Sequence, residues 1–141
     1  MRPLGHAVVS VAGAGLLYVF FRNALASFAF AVSSVLIDLD HFFDYFYERG
    51  FKDFTFGSLC NFCYHYGTKR LTFIFHSFEL IFVLWFIVSF YKLNIIWISF
   101  VLGLTLHLII DQLANHSFPF TYFFIYRWFN RFQSNRLFPK R

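Results

Sequence analysis

Four apolar stretches long enough to cross a bilayer carry carboxylates and imidazoles near their ends, and this pairing narrows what the chain can fold into. A crossing helix needs about 20 residues at ~1.5 Å each. On that scale the sequence predicts spans at 5–21, 24–39, 71–91 and 95–113. His6 lies near the start of the first. Asp38-Leu39-Asp40-His41 closes the second, His76 and Glu79 lie early in the third, and His107 and Asp111 come late in the fourth. A central Asp costs roughly 2.5–3.5 kcal/mol on membrane-insertion scales, so such residues mark function more often than structure.

The composition agrees with a membrane class. Of 141 residues 59% are hydrophobic and only 13% charged, and Phe alone contributes 25. These proportions exclude an ordinary soluble domain, and the aromatic excess suits lipid-facing surfaces and interfacial belts. The length fits one domain. A net charge of +5 does not point to nucleic acid, because the basic residues flank the apolar spans rather than form a patch. Membrane lipids, anionic ones in particular, are the partners this pattern predicts.

The expected fold is therefore an all-α membrane protein of four transmembrane helices, with interfacial aromatic and basic segments at 42–70 and 118–133. Only Arg22-Asn23 joins the first two spans, which makes them a tight hairpin. Their many small residues, among them Gly13, Ala26, Ala29, Ser33 and Ser34, permit close backbone approach in lipid. The second helix is expected to continue through 42–47. In the tail, Arg127 and Arg131 are four apart and would share one face of a basic interfacial helix.

Four spans put both termini on one side. Ten basic residues then share that side (Arg2, Arg49, Lys52, Lys69, Arg70, Arg127, Arg131, Arg136, Lys140 and Arg141), and only Arg22 and Lys92 lie opposite. The positive-inside rule makes the crowded side cytoplasmic, so the chain is expected to be integral to an inner or cytoplasmic membrane with both termini cytoplasmic. Arg2, the first apolar run and Ala24-Leu25-Ala26 have the outline of a cleaved signal. The run is long enough to span, and cleavage would discard His6, so retention is expected.

In this topology every polar cluster falls toward the same face. The residue types are those that bind hard or borderline divalent metals, zinc or manganese among them. His107 and Asp111, at i and i+4, project from one helical face. His76 and Glu79 are three apart and can also share a face, with Glu79 as ligand partner or base. Asp38 and Asp40 diverge by about 200° on an ideal helix, whereas Asp38 and His41 lie about 60° apart. Both carboxylates reach one metal only if the helix loosens; otherwise one Asp orients a ligand or acts as a base. The expected metal set is His6, Asp38, His41, His76, His107 and Asp111, around one or two ions, with Asp40 and Glu79 as candidate catalytic groups. His65 and His116 are expected in solvent or headgroups. Cys60 and Cys63 form a lone Cys-x-x-Cys, which lacks the second pair of a zinc ribbon and is read as structural or incidental.

Gly5-His6, Leu36-Ile37-Asp38-Leu39-Asp40-His41, His76-Ser77 and Leu106-His107-Leu108-Ile109-Ile110-Asp111 occur in an order that resembles the YdjM-like membrane-bound metal-dependent hydrolases. The resemblance spans roughly residues 5–115 and implies a multispanning inner-membrane protein with metal-dependent hydrolase activity. Where that family often has a further His, five residues before the His-Ser pair, this chain has Leu71. The function expected is hydrolysis of a phospholipid or lipid-linked phosphate at the cytoplasmic headgroup layer, with Arg127 or Arg131 holding the phosphate. The alternative is a non-enzymatic metal-binding or ion-handling membrane module. Transport fits poorly, because the outer halves of the spans lack ionisable groups.

Overall fold

In the computed structural model, residues 3–52, 54–64, 70–115 and 117–138 are described. The expectations for Arg2, His65, Lys69, His116, Lys140 and Arg141, and for the side chains of Cys60 and Cys63, lie outside the described residues. The described chain is helical, with no strand among those residues. Its elements are α1 (Pro3–Phe21), α2 (Ala24–Leu36), a single 3₁₀ turn (Ile37–Leu39), α3 (Asp40–Arg49), α4 (Phe56–Tyr64), α5 (Phe78–Phe90), α6 (Ile95–Ala114), α7 (Phe124–Phe129) and α8 (Ser134–Leu137).

Local chemistry sets the helix ends. Arg22 adopts φ 50°, and Asn23 caps α2 by accepting the Ala26 N–H at 3.0 Å, so two residues suffice to reverse the chain. Asn94 caps α6 in the same way through the Ile96 N–H at 3.1 Å. Helix α2 packs along α6, and Gly103 is the point of closest approach. A Cβ there would lie 2.4 Å from the Phe30 carbonyl oxygen and 2.2 Å from Ser33 Oγ. Only glycine permits this spacing. The hydroxyls of Ser33 and Ser34 return hydrogen bonds to the carbonyls of Phe30 and Ala31, each at 3.0 Å, so α2 carries them at little cost.

Two helices are long and apolar enough to cross a membrane: Ala24–Arg49, continuous through the 3₁₀ turn, and Ile95–Ala114. Apolar helices Gly5–Phe21 and Phe78–Phe90 are shorter. This corrects the expectation of four full-length spans, most clearly for 71–91. At ~1.5 Å per residue the 13 residues of α5 reach about 20 Å, against a hydrocarbon core of ~30 Å.

The physical reason lies in α3. Asp40, Asp44 and Glu48 recur every fourth residue, and each captures backbone N–H groups of 70–76 that a helix would otherwise use. Asp40 Oδ2 accepts from Phe75 N at 2.5 Å and His76 N at 3.0 Å. Asp44 accepts from Thr72 N at 3.0 Å and from Thr72 Oγ1 at 2.6 Å, and Glu48 accepts from Arg70 N at 3.0 Å. The segment 70–77 is thus a non-helical strap tied along α3. Protein covers this irregular segment: Leu71, Phe73, His76 and Ser77 are all buried. Ser77 then starts α5 by capping the Leu80 N–H at 3.2 Å.

The tail 117–138 closes over the strap. Leu71 N donates to the Phe132 carbonyl at 2.9 Å, Phe78 N to that of Tyr122 at 3.0 Å, and Leu71 and Phe73 pack against Leu137 and Phe138. A second apolar cluster of Ile37, Ile81, Leu104, Leu108 and Tyr122 joins α5 and α6 to the 3₁₀ turn. Outward, α1, α2 and α5 expose Val11, Phe20, Leu25, Phe28, Phe82, Phe86 and Phe90. So much bare apolar surface suits lipid rather than water.

Candidate metal centre

Four elements deliver side chains to one place. From α6, His107 and Asp111 project together, one turn apart. The 3₁₀ turn supplies Asp38, the strap supplies His76, and α1 supplies His6. Nε2 of His107 lies 3.4 Å from Asp38 Oδ1 and 3.6 Å from Asp111 Oδ2. Nε2 of His76 lies 3.6 Å from each of the same two oxygens. The donor atoms of Asp38, His76 and His107 all lie within 4.8 Å of one another, as do those of His6, His107 and Asp111.

The other nitrogen of each ring settles its tautomer. His107 Nδ1 is 2.6 Å from the Ser34 carbonyl oxygen, which can only accept, so Nδ1 carries the proton. His76 Nδ1 is 3.2 Å from Asp40 Oδ2, and it donates for the same reason. Each Nε2 therefore presents a lone pair in the neutral ring, the form that ligates metals. Both Nε2 atoms are buried without a hydrogen-bond partner. Contacts of 3.4–3.6 Å are too long to be hydrogen bonds.

Buried lone pairs facing carboxylates across such gaps fit an intervening cation. For an ion with ligand bonds of about 2.1 Å, adjacent tetrahedral ligands stand roughly 3.4 Å apart. The four contacts of two histidines with two carboxylates, at 3.4–3.6 Å, are close to that edge length. These buried His and Asp groups can hold a metal ion, and an N₂O₂ donor set suits a borderline divalent one.

The remaining candidates take distinct places. His6 Nε2 is 3.0 Å from Asp111 Oδ1, and its ring stacks on that of His107 at 4.3 Å between centroids. It thus holds the oxygen of Asp111 that faces away from His76 and His107. His41 Nε2 is 3.5 Å from Asp38 Oδ1 and belongs to neither donor group. The side chains of Asp38 and His41 are 33% and 24% exposed, whereas His6, His76, His107 and Asp111 are buried. The centre therefore opens to its surroundings along the Asp38–His41 edge. Asp40 faces the strap, not the centre, and reaches the site through His76. Its Oδ2 holds both the His76 ring and the His76 backbone N–H.

Two expectations are corrected. Glu79 does not join the centre: its carboxylate accepts from Phe124 N at 2.8 Å, Ile125 N at 3.0 Å and Ser77 Oγ at 3.0 Å. A carboxylate at the start of α7 satisfies amides that a helix leaves open. Nor do Arg127 and Arg131 share a face. Helix α7 ends at Phe129, and Arg131 and Phe132 take φ 56° and 57°, which breaks the helical register. Arg131 is exposed, whereas Arg127 is 1% exposed and donates from Nη2 to the Phe73 carbonyl at 2.7 Å. Burial draws the Arg127 guanidinium down to about 10, with the charges of Asp40 and Glu79 acting in the opposite sense.

The roles of Asp44, Glu48 and Ser34 escape a motif search. The spacing of Asp40, Asp44 and Glu48 along one helical face was the available signal. Comparisons with protein-family models, curated proteins and solved structures give no match to this chain.

Proposed function

We propose that this chain is a membrane-embedded metal-dependent hydrolase that holds one divalent ion between Asp38, His76, His107 and Asp111. The observation that carries the reading is the pair of buried, unpartnered Nε2 atoms, both fixed as lone-pair donors and both facing the same two carboxylates. Zinc and manganese both suit the donor set. When bound, such an ion lowers the pKa of a coordinated water and polarises a phosphoryl or acyl oxygen.

The chain's own residues supply the rest. Asp40 and the Ser34 carbonyl orient the two imidazoles, and His6 orients Asp111. Asp38 and His41 form the edge at which water and substrate meet the site. The order of the His and Asp blocks, similar to that of the YdjM-like hydrolases, agrees with this reading.

The ten-to-two distribution of basic residues supports an integral protein of an inner or cytoplasmic membrane, with both termini cytoplasmic and α1 and α5 embedded beside the two longer helices. The substrate class we infer is a phospholipid or lipid-linked phosphate. The test is turnover of phospholipids and polyprenyl phosphates in mixed micelles. Activity should require the metal and fall sharply in Asp111→Asn, which keeps the side chain's size but removes its charge. Full activity after chelation and in Asp111→Asn would contradict the reading.

One observation favours a second reading, a non-enzymatic metal-binding module. Four protein donors close a tetrahedral ion, as in structural sites, whereas catalytic sites keep a position open. A metal-bound, folded protein inactive on a broad lipid panel would favour it. The partial exposure of Asp38 is why we rank hydrolysis first.

A further inference from the structure

The strap and tail enclose a cation that makes no ion pair among the described residues, although the charges of Asp40 and Glu79 act on it from farther away. Arg127 is 1% exposed, and among the described residues only its Nη2 has a hydrogen-bond partner, the Phe73 carbonyl. Nε and Nη1 are buried with no hydrogen-bond partner among the described residues, and the guanidinium forms no ion pair with any of them. The nearby carboxylates are committed elsewhere. Asp40 serves Phe75, His76 and the His76 ring, Asp44 serves Thr72, and Glu79 serves α7 and Ser77. Its Cζ lies 6.0 Å from the centroid of the Phe124 ring. A buried charge left unpaired is among the costliest features a fold can carry.

Its position is next to the centre. The carbonyl that Arg127 holds belongs to Phe73, whose ring meets His41 edge-on at 4.7 Å and lies 5.3 Å from the His76 ring. Phe73 also takes φ 28°, a value bulky residues avoid. Its carbonyl meets Arg127 while its ring meets the two histidines. One strained residue thus links the guanidinium to the accessible His41 edge of the site.

We propose that Arg127 is the anchor of a phosphate-class oxyanion subsite beside the metal centre, its two unpartnered nitrogens supplying the charge-assisted hydrogen bonds. A planar guanidinium with two unpartnered donors matches a tetrahedral oxyanion. This deepens the hydrolase reading by placing the phosphate of its substrate class. The subsite does not depend on the ion: Arg127 belongs to neither donor group.

The test uses the full chain in detergent, in metal-loaded and chelator-stripped forms. Thermal stabilisation is read during titration with inorganic phosphate, with chloride at matched ionic strength as the control. Dihexanoyl phosphatidic acid below its micelle concentration is the second probe, and stronger saturation by it than by phosphate identifies a lipid headgroup as the source. Saturable stabilisation by phosphate is expected in both metal states. In Arg127→Gln binding should weaken by about tenfold to a hundredfold, the range for losing a hydrogen bond to a charged group. Arg127→Lys, which keeps the charge, should retain part of it.

The wild-type arms stand even if Arg127→Gln does not fold. Absence of saturable stabilisation by either probe in the wild-type chain would overturn the subsite and leave ordered water as the partner of Arg127. Binding seen only in the metal-loaded form would also overturn it, while leaving the metallohydrolase reading intact. Loss of metal binding with phosphate binding preserved would do the reverse.

Discussion

Asp40 grips His76 at two points through a single carboxylate oxygen: Oδ2 accepts the ring Nδ1–H at 3.2 Å and the backbone N–H at 3.0 Å. The contact fixes the imidazole's tautomer and also pins the strap that carries it. Fold and site are therefore coupled at this residue. Asp40→Asn keeps the size and an acceptor oxygen but weakens both contacts. It should lower metal affinity by about tenfold to a hundredfold, the usual cost of losing an outer-sphere partner. Titration with a competing chelator measures this, and unchanged affinity would show that His76 needs no such support.

Gly103 predicts a packing limit. Because an added Cβ would meet the Phe30 carbonyl oxygen at 2.4 Å, the backbones of α2 and α6 must separate in Gly103→Ala. The loss should be at least about 1–3 kcal/mol, the range for overpacking. Gly15, with nothing within 4 Å of such a Cβ, is the control, and Gly15→Ala should stay within about 0.5 kcal/mol of wild type. Reversible unfolding in mixed micelles compares the two, and equal effects would contradict this helix contact.

Glu79 separates a structural carboxylate from a catalytic one. Glu79→Ala removes the acceptor at the start of α7 and should cost about 0.5–2 kcal/mol, as for other lost helix caps. Metal content should not change. A drop in bound metal without loss of stability would return Glu79 to the centre.

Much of the helical plan was legible in the sequence, for physical reasons that differ by element. Arg22-Asn23 between apolar runs reads as a hairpin because polar and left-handed-tolerant residues end helices, and α1 ends at Phe21 and α2 begins at Ala24 on either side of it. The His107–Asp111 pair was legible because a spacing of four fixes a shared face. The strap was not. Residues 71–77 look like the start of a span by composition, and the groups that forbid a helix there are Asp40, Asp44 and Glu48, from 22 to 36 positions away. Asp38 and Asp40 could not be assigned to one ion or two roles until the 3₁₀ turn was seen, since an α-helical count leaves both open. The separation of Arg127 from Arg131 depends on left-handed backbone at Arg131 and Phe132, which neither residue type announces.

The central claim is that two fixed Nε2 donors and two carboxylates hold one cation. Elemental analysis of the detergent-purified chain, reloaded with zinc or manganese and washed, tests it most directly, with His76→Ala, His107→Ala and Glu79→Ala beside wild type. One ion per chain is predicted for wild type and for Glu79→Ala, and marked loss in both histidine variants. Wild type that retains no ion, or both histidine variants with undiminished stoichiometry, would contradict the account.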